Sequence, residues 1–182
     1  MIACGWHAMA TMKPLNEKLL ATAHFLIARV PPHQLGATKL NKMLWFADCQ
    51  FYARHGLTIT EEVQYVRKDQ GPCVDFFDNV IHAMKSRGLI VERPVRELDY
   101  VRREFYAQIE PDLSVFTAEE VDILLAVAAQ IAPMTAAAAS NLSHDELWDE
   151  TPAYEAIPVA AGAVKVDRLE GDDLEWARKA IQ

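Results

Sequence analysis

Cys4-x-x-His7 has the spacing of half a metal-ligand set, and Cys73 follows Gly71-Pro72 at a point where a helix amide terminus would lower a thiol pKa. A zinc centre needs three or four ligands, and neither a second Cys/His pair nor an H-E-x-x-H run is present to complete one. A nucleophilic Cys73 would need a base, for which His24, His55 and His82 are the candidates, but no family signature surrounds it and a small packed thiol is the plainer reading. None of the seven glycines forms a phosphate-cradling loop. His144 and Trp148, at i and i+4, share a helix face. They form either a histidine packed beside a tryptophan or a partner contact. The reading that follows is a protein without a catalytic constellation, metal or cofactor.

Charge separates the remaining classes. The net charge is −8, but residues 1–109 carry 14 basic and 11 acidic side chains, whereas residues 110–182 carry 4 and 15. An acidic rear half repels nucleic acid and steers basic proteins. A strand, a helix and a hairpin with Arg93, Arg96, Arg102 and Arg103 do resemble the close of a winged-helix domain, so a DNA-binding regulator is the alternative reading. It lacks room for the two helices that such a domain places before its hairpin. Three cysteines without a C-x-x-C pair argue for a reducing cytosol rather than a disulfide framework. No apolar run reaches the roughly 20 residues of a membrane span.

Hydrophobic spacing places the elements that must carry these groups. A first helix is expected over 14–30, stopped by Pro31-Pro32. A second, over 39–55, is expected to be capped by Thr38 and ended by Gly56. Its Leu40, Met43, Leu44, Ala47 and Phe51 form a buried stripe, leaving Lys39, Lys42, Trp45, Asp48, Cys49 and Tyr52 on the other side. A strand over 59–67, a turn at 70–73 and a helix over 74–87 follow, then a hairpin from runs 89–93 and 103–109. "TAEE" at 117–120 is a capping box that opens an apolar helix to Ile131, expected to be the most buried element. Thr135 caps a short alanine-rich helix, "SHDE" at 143–146 reads as a second capping box, residues 156–166 lack a period, and a last helix spans 172–181. The sum is one predominantly helical α+β domain of about six helices with a small antiparallel sheet, over 13–182, after a loose extension at 1–12.

Lys39-Leu40-Asn41-Lys42-Met43-Leu44-Trp45-Phe46-Ala47-Asp48 resembles the "KLqKLLYFAD" helix of the Panacea, or SocA-like, domain family. Gln70-Gly71-Pro72-Cys73-Val74 is similar to that family's "yGPv" turn, and Leu142-Ser143-His144 with Trp148 to its closing "lSHe…W". Gln70 and Trp45 depart from the usual aromatic and tyrosine. The resemblance covers roughly residues 14–152. It implies a cytoplasmic, prokaryotic or phage antitoxin that binds a co-encoded protein toxin. In the SocA branch it implies a proteolytic adaptor delivering the toxin to a Clp-type ATP-dependent protease; other branches inhibit directly. The partner-binding candidates are Lys39, Lys42, Trp45, Asp48, Tyr52, Gln70, Gly71, Pro72, His144 and Trp148. The structural alternatives are an Asp48 paired with a lysine or arginine and a Gly71-Pro72 that only shapes a turn.

Overall fold

Asn16 opens the first helix, α1 (Glu17–Arg29), by accepting a hydrogen bond from the Leu19 amide at 2.9 Å. The computed structural model describes residues 16–163 except Glu62, Leu98 and Asp99, so the extension at 1–12, Cys4, His7 and the helix expected over 172–181 lie outside the described residues. Leu19, Leu20, Ala23, Leu26, Ile27 and Val30 are buried as the periodicity predicts. A 3-10 turn at Pro32–Gln34 leads into α2 (Ala37–His55).

α2 is capped by Gly36, two residues before the expected Thr38, because the Leu40 amide already bonds the Gly36 carbonyl at 2.9 Å. It ends at Gly56, whose φ of +66° is the left-handed conformation that glycine adopts freely. The helix is not one-sided. Lys39 to Trp45 and Ala47 to Cys49 are all buried, since α1 and residues 71–74, 101–107, 118–131, 136–141 and 159–163 pack around it. α2, rather than the apolar helix that follows Thr117, is therefore the central element of the core.

Two antiparallel strands follow, β1 (Tyr65–Lys68) and β2 (Gly71–Val74), joined by the two-residue turn Asp69-Gln70. Residues 71–74 thus form a strand where a turn and helix start were expected, and α3 spans only Phe77–Ser86. A hairpin of β3 (Ile90–Arg96) and β4 (Val101–Ala107) makes a separate two-stranded sheet. The capping box at Thr117 and Glu120 forms as expected and opens α4 (Ala118–Ile131), which keeps an exposed face that includes Leu125. Thr135 caps α5 (Ala136–Asn141), and α6 (Glu146–Glu150) follows. β5 (Ala156–Ile157) joins the other side of β1, and α7 (Val159–Ala163) lies on α2. The architecture is predominantly helical α+β with small antiparallel sheets. No helix among the described residues is long and apolar enough to cross a membrane.

The hairpin manages its open edge with a proline. The amides of Gln108 and Glu97 bond the carbonyls of Leu89 and Tyr100, both at 2.9 Å, which makes the odd-numbered residues of β3 the hydrogen-bonded ones. Pro94, paired opposite Arg103, therefore turns its missing N–H toward the free edge. Such an edge cannot template another strand. Pro94→Thr should leave thermal stability within about 1 kcal/mol of wild type yet promote concentration-dependent self-association. Sedimentation velocity on both proteins tests this, and a variant that stays as monodisperse as wild type refutes it.

Candidate functional site

β2 faces α2 with the backbone groups that β1 does not use. The Asp75 amide bonds the Gln64 carbonyl at 2.9 Å, so the groups of Pro72 and Val74 point away from β1. α2 supplies their partners from side chains. Asn41 Oδ1 accepts from the Val74 amide at 2.9 Å, and Lys42 Nζ donates to the Pro72 carbonyl at 2.8 Å. Proline is suited to this position because it brings no further N–H to be satisfied. The "KLNK" helix and the "GPC" strand are thus two halves of one joint, in which helix side chains replace a neighbouring strand.

Burial makes this joint electrostatically unusual. Lys42 is 1% exposed, and removal from water pulls its ammonium pKa down to about 7, with the nearby Cys73 thiol pushing weakly the other way. Gly71 sits against it at φ +94°, where a Cβ would fall on Ser143 Oγ and 2.5 Å from Lys42 Nζ. Ser140 Oγ donates to the Gln70 carbonyl and Ser143 Oγ to the Ser140 carbonyl at 2.7 Å, which ties α5 to the turn.

The other polar groups of the α2 motif are also used inside the fold. Lys39 Nζ donates to the carbonyls of Ala132 and Met134, both at 2.9 Å, satisfying acceptors at the end of α4. Asp48, wholly buried, accepts from the Thr60 amide at 3.0 Å, from the Thr60 hydroxyl, and from Tyr65 Oη at 2.7 Å. Burial raises its pKa, opposed by those hydrogen bonds. The partner expected for Asp48, a lysine or arginine, is replaced by two hydroxyls and an amide. Trp45 packs edge-on to Tyr65 with centroids 5.0 Å apart and lies under Gly162 of α7, where a side chain would collide with its ring.

Four of the candidate contacts on α2 are accordingly interior. Lys39, Lys42, Trp45 and Asp48 do not form an outward face, and Gly71 and Pro72 are buried as well. Tyr52 is half-buried and Gln70 exposed. His144 and Trp148 do meet as their spacing predicts, with rings stacked at 3.8 Å and 7°. Sequence reading missed Arg67, which completes this group. Its guanidinium lies 4.3 Å from the Trp148 ring, its Nε donates to the Trp148 carbonyl at 2.8 Å, and Trp148 Nε1 donates to the Lys68 carbonyl at 3.2 Å. The Arg67 amide and carbonyl pair with Glu155 and Tyr154, bringing the exposed Tyr154 beside the same arginine. Nothing in the local sequence pointed to Arg67, since burial along β1 does not alternate. The second capping box does not form as read: Ser143 is spent on Ser140, and Asp145 caps the Trp148 amide at 2.9 Å instead.

The model of the family described as antitoxin SocA-like, Panacea domain, matches residues 40–149. The chain belongs to that family. No curated protein and no solved structure matches it. The matched stretch of this Panacea domain includes the α2 motif from Leu40 onward, the Gly71-Pro72 strand and the His144/Trp148 stack, and the three motifs converge on one joint. Cys73 lies within it on β2, not at a helix terminus, and burial raises its thiol pKa rather than lowering it. Among the described residues no cluster of three His, Cys, Asp or Glu side chains is placed to hold a metal ion.

The winged-helix alternative gains nothing from this geometry. Its hairpin forms a sheet separate from β1. Arg102 pairs with Glu97 at 2.9 Å and Glu104 at 2.6 Å, while Arg103 pairs with Asp78 at 2.6 Å and Glu92 at 2.5 Å. These cations already have internal counter-ions, which weakens the field they could offer a phosphate backbone.

Proposed function

We propose that this Panacea domain is the antitoxin of a toxin–antitoxin pair and neutralises a co-encoded toxin in the cytoplasm by direct protein–protein binding. The family match over residues 40–149 carries the reading. Interior polar groups that are consumed by the fold support binding by a surface rather than chemistry in a cleft. The candidate surface is the Arg67, Trp148 and His144 stack with Gln70, Tyr154 and the exposed Asp149, Glu150 and Glu155 beside it. Tryptophan, tyrosine and arginine are the residue types that most often anchor interfaces, and acidic neighbours favour a basic partner. Tyr52 offers a second contact on α2. The finer form of the proposal is an adaptor that passes the bound toxin to a Clp-type ATP-dependent protease.

Co-expression with the adjacent reading frame tests both levels. A stoichiometric complex and rescue of growth are expected, and Trp148→Ala with Tyr154→Ala should weaken binding at least about tenfold. A neighbour that is harmless alone, or a double variant that binds as wild type, overturns the respective claim. Toxin half-life with and without the protease separates delivery, which requires the protease, from occlusion, which does not.

A further inference from the structure

Beneath the Trp148 stack, two nitrogen bases pack against one glycine. Lys42 Nζ is buried and, among the described residues, has the Pro72 carbonyl as its hydrogen-bond acceptor, although an ammonium carries three N–H donors. Among the described residues, His144 Nε2 is buried with no hydrogen-bond partner. A Cβ on Gly71 would lie 2.5 Å from Lys42 Nζ and 3.3 Å from His144 Cδ2, so both bases border the same small volume.

The surrounding groups only partly offset a proton on either base. From β2, Cys73 faces Lys42, and its thiol is held protonated by burial; Lys68, Asp75 and Asp78 act on that thiol. From β1, Arg67 adds positive charge next to His144, and from α6 the exposed Asp149 supplies the opposing negative one. Lys42 itself opposes a charge on His144, after burial, which is the larger cause.

We propose that the Lys42–Gly71–His144 packing is a proton-operated latch, closed when both bases are neutral and opened when both are protonated, which frees the 140–148 segment from the β1–β2 turn. The unfolded chain keeps the lysine proton up to about 10.5, and the closed fold releases it near 7. Closure is therefore favoured progressively as pH rises through that window, and the advantage is gone once pH falls below it. The histidine, also depressed, acts in the same direction at lower pH. The inference stands on this packing and is independent of the toxin reading.

Backbone amide NMR from pH 8.5 to 5.5 tests it. In the wild type, residues 70–73 and 140–148 should shift together with one midpoint, while the amides of α1 and α4 keep their hydrogen-exchange protection. Lys42→Met should hold residues 140–148 at their alkaline positions throughout and move the His144 titration to higher pH. His144→Phe, which preserves ring stacking on Trp148, should likewise abolish the joint shift and serves if Lys42→Met does not fold. The latch is refuted if the two segments move independently, if both variants retain the wild-type transition, or if α1 and α4 lose protection at the same midpoint.

Discussion

Gly71→Ala is expected to cost about 3–5 kcal/mol. Two effects add. At φ +94° a side chain strains the backbone by roughly 1–3 kcal/mol. The new Cβ also collides with Ser143 Oγ and Lys42 Nζ, and overpacking in a closed interior costs typically about 1–3 kcal/mol more. Neither neighbour can retreat freely, because Ser143 is bonded to the Ser140 carbonyl and Lys42 to Pro72. Gly56→Ala provides the comparison: its φ is +66°, but among the described residues nothing lies within 4 Å of the added atom, so about 1 kcal/mol is expected. Urea denaturation should show the midpoint falling several times further for Gly71→Ala than for Gly56→Ala at similar m-value. Equal shifts would mean that the crowding around Gly71 is relieved without cost.

Asp48→Ala should be nearly as damaging, at about 3–5 kcal/mol, because it orphans three buried donors: the Thr60 amide, the Thr60 hydroxyl and the Tyr65 hydroxyl. Asp48→Asn should cost clearly less. An amide oxygen still accepts from the Thr60 amide, and the two hydroxyls can turn to accept from its NH2 group. Burial also raises the Asp48 pKa, so the folded state holds the proton to a higher pH than the unfolded chain. Stability from this group is thus full below its ordinary pKa and declines as pH rises through the raised one. The asparagine variant, which cannot ionise, should lack that decline. Thermal unfolding of the three proteins across pH 3–7 checks both points; an asparagine variant as unstable as the alanine one would show that charge, not hydrogen bonding, holds the site.

The apolar rhythm of α1, α2 and α4, the capping box at Thr117 and Glu120 and the hairpin were legible because each follows from local spacing. Misreadings came where a polar residue was assigned outward by default. Lys39, Lys42 and Asp48 interrupt an apolar stripe, and periodicity alone places them in water. What reverses the assignment is non-local: an orphan carbonyl of α4, the unpaired edge of β2, and the hydroxyls of Thr60 and Tyr65. β2 was misread for a related reason. Gly-Pro suggests a turn, but a strand whose outward acceptor is met by a lysine tolerates proline well. Of the candidate site, the His144/Trp148 pair was visible from its i, i+4 spacing, whereas Arg67, brought in through β1, had no local signal.

The family match begins at residue 40 and ends at 149, yet α1 lies wholly before it and α7 wholly after. α1 alone contributes Leu19, Leu20, Phe25, Leu26 and Ile27 to the interior. At about 1.5–3 kcal/mol each, these five outweigh much of the 5–15 kcal/mol by which a domain is ordinarily stable. An excised piece trimmed to the limits of likeness would be a core missing one of its walls. The unit expected to fold is therefore longer than the stretch that the family model matches.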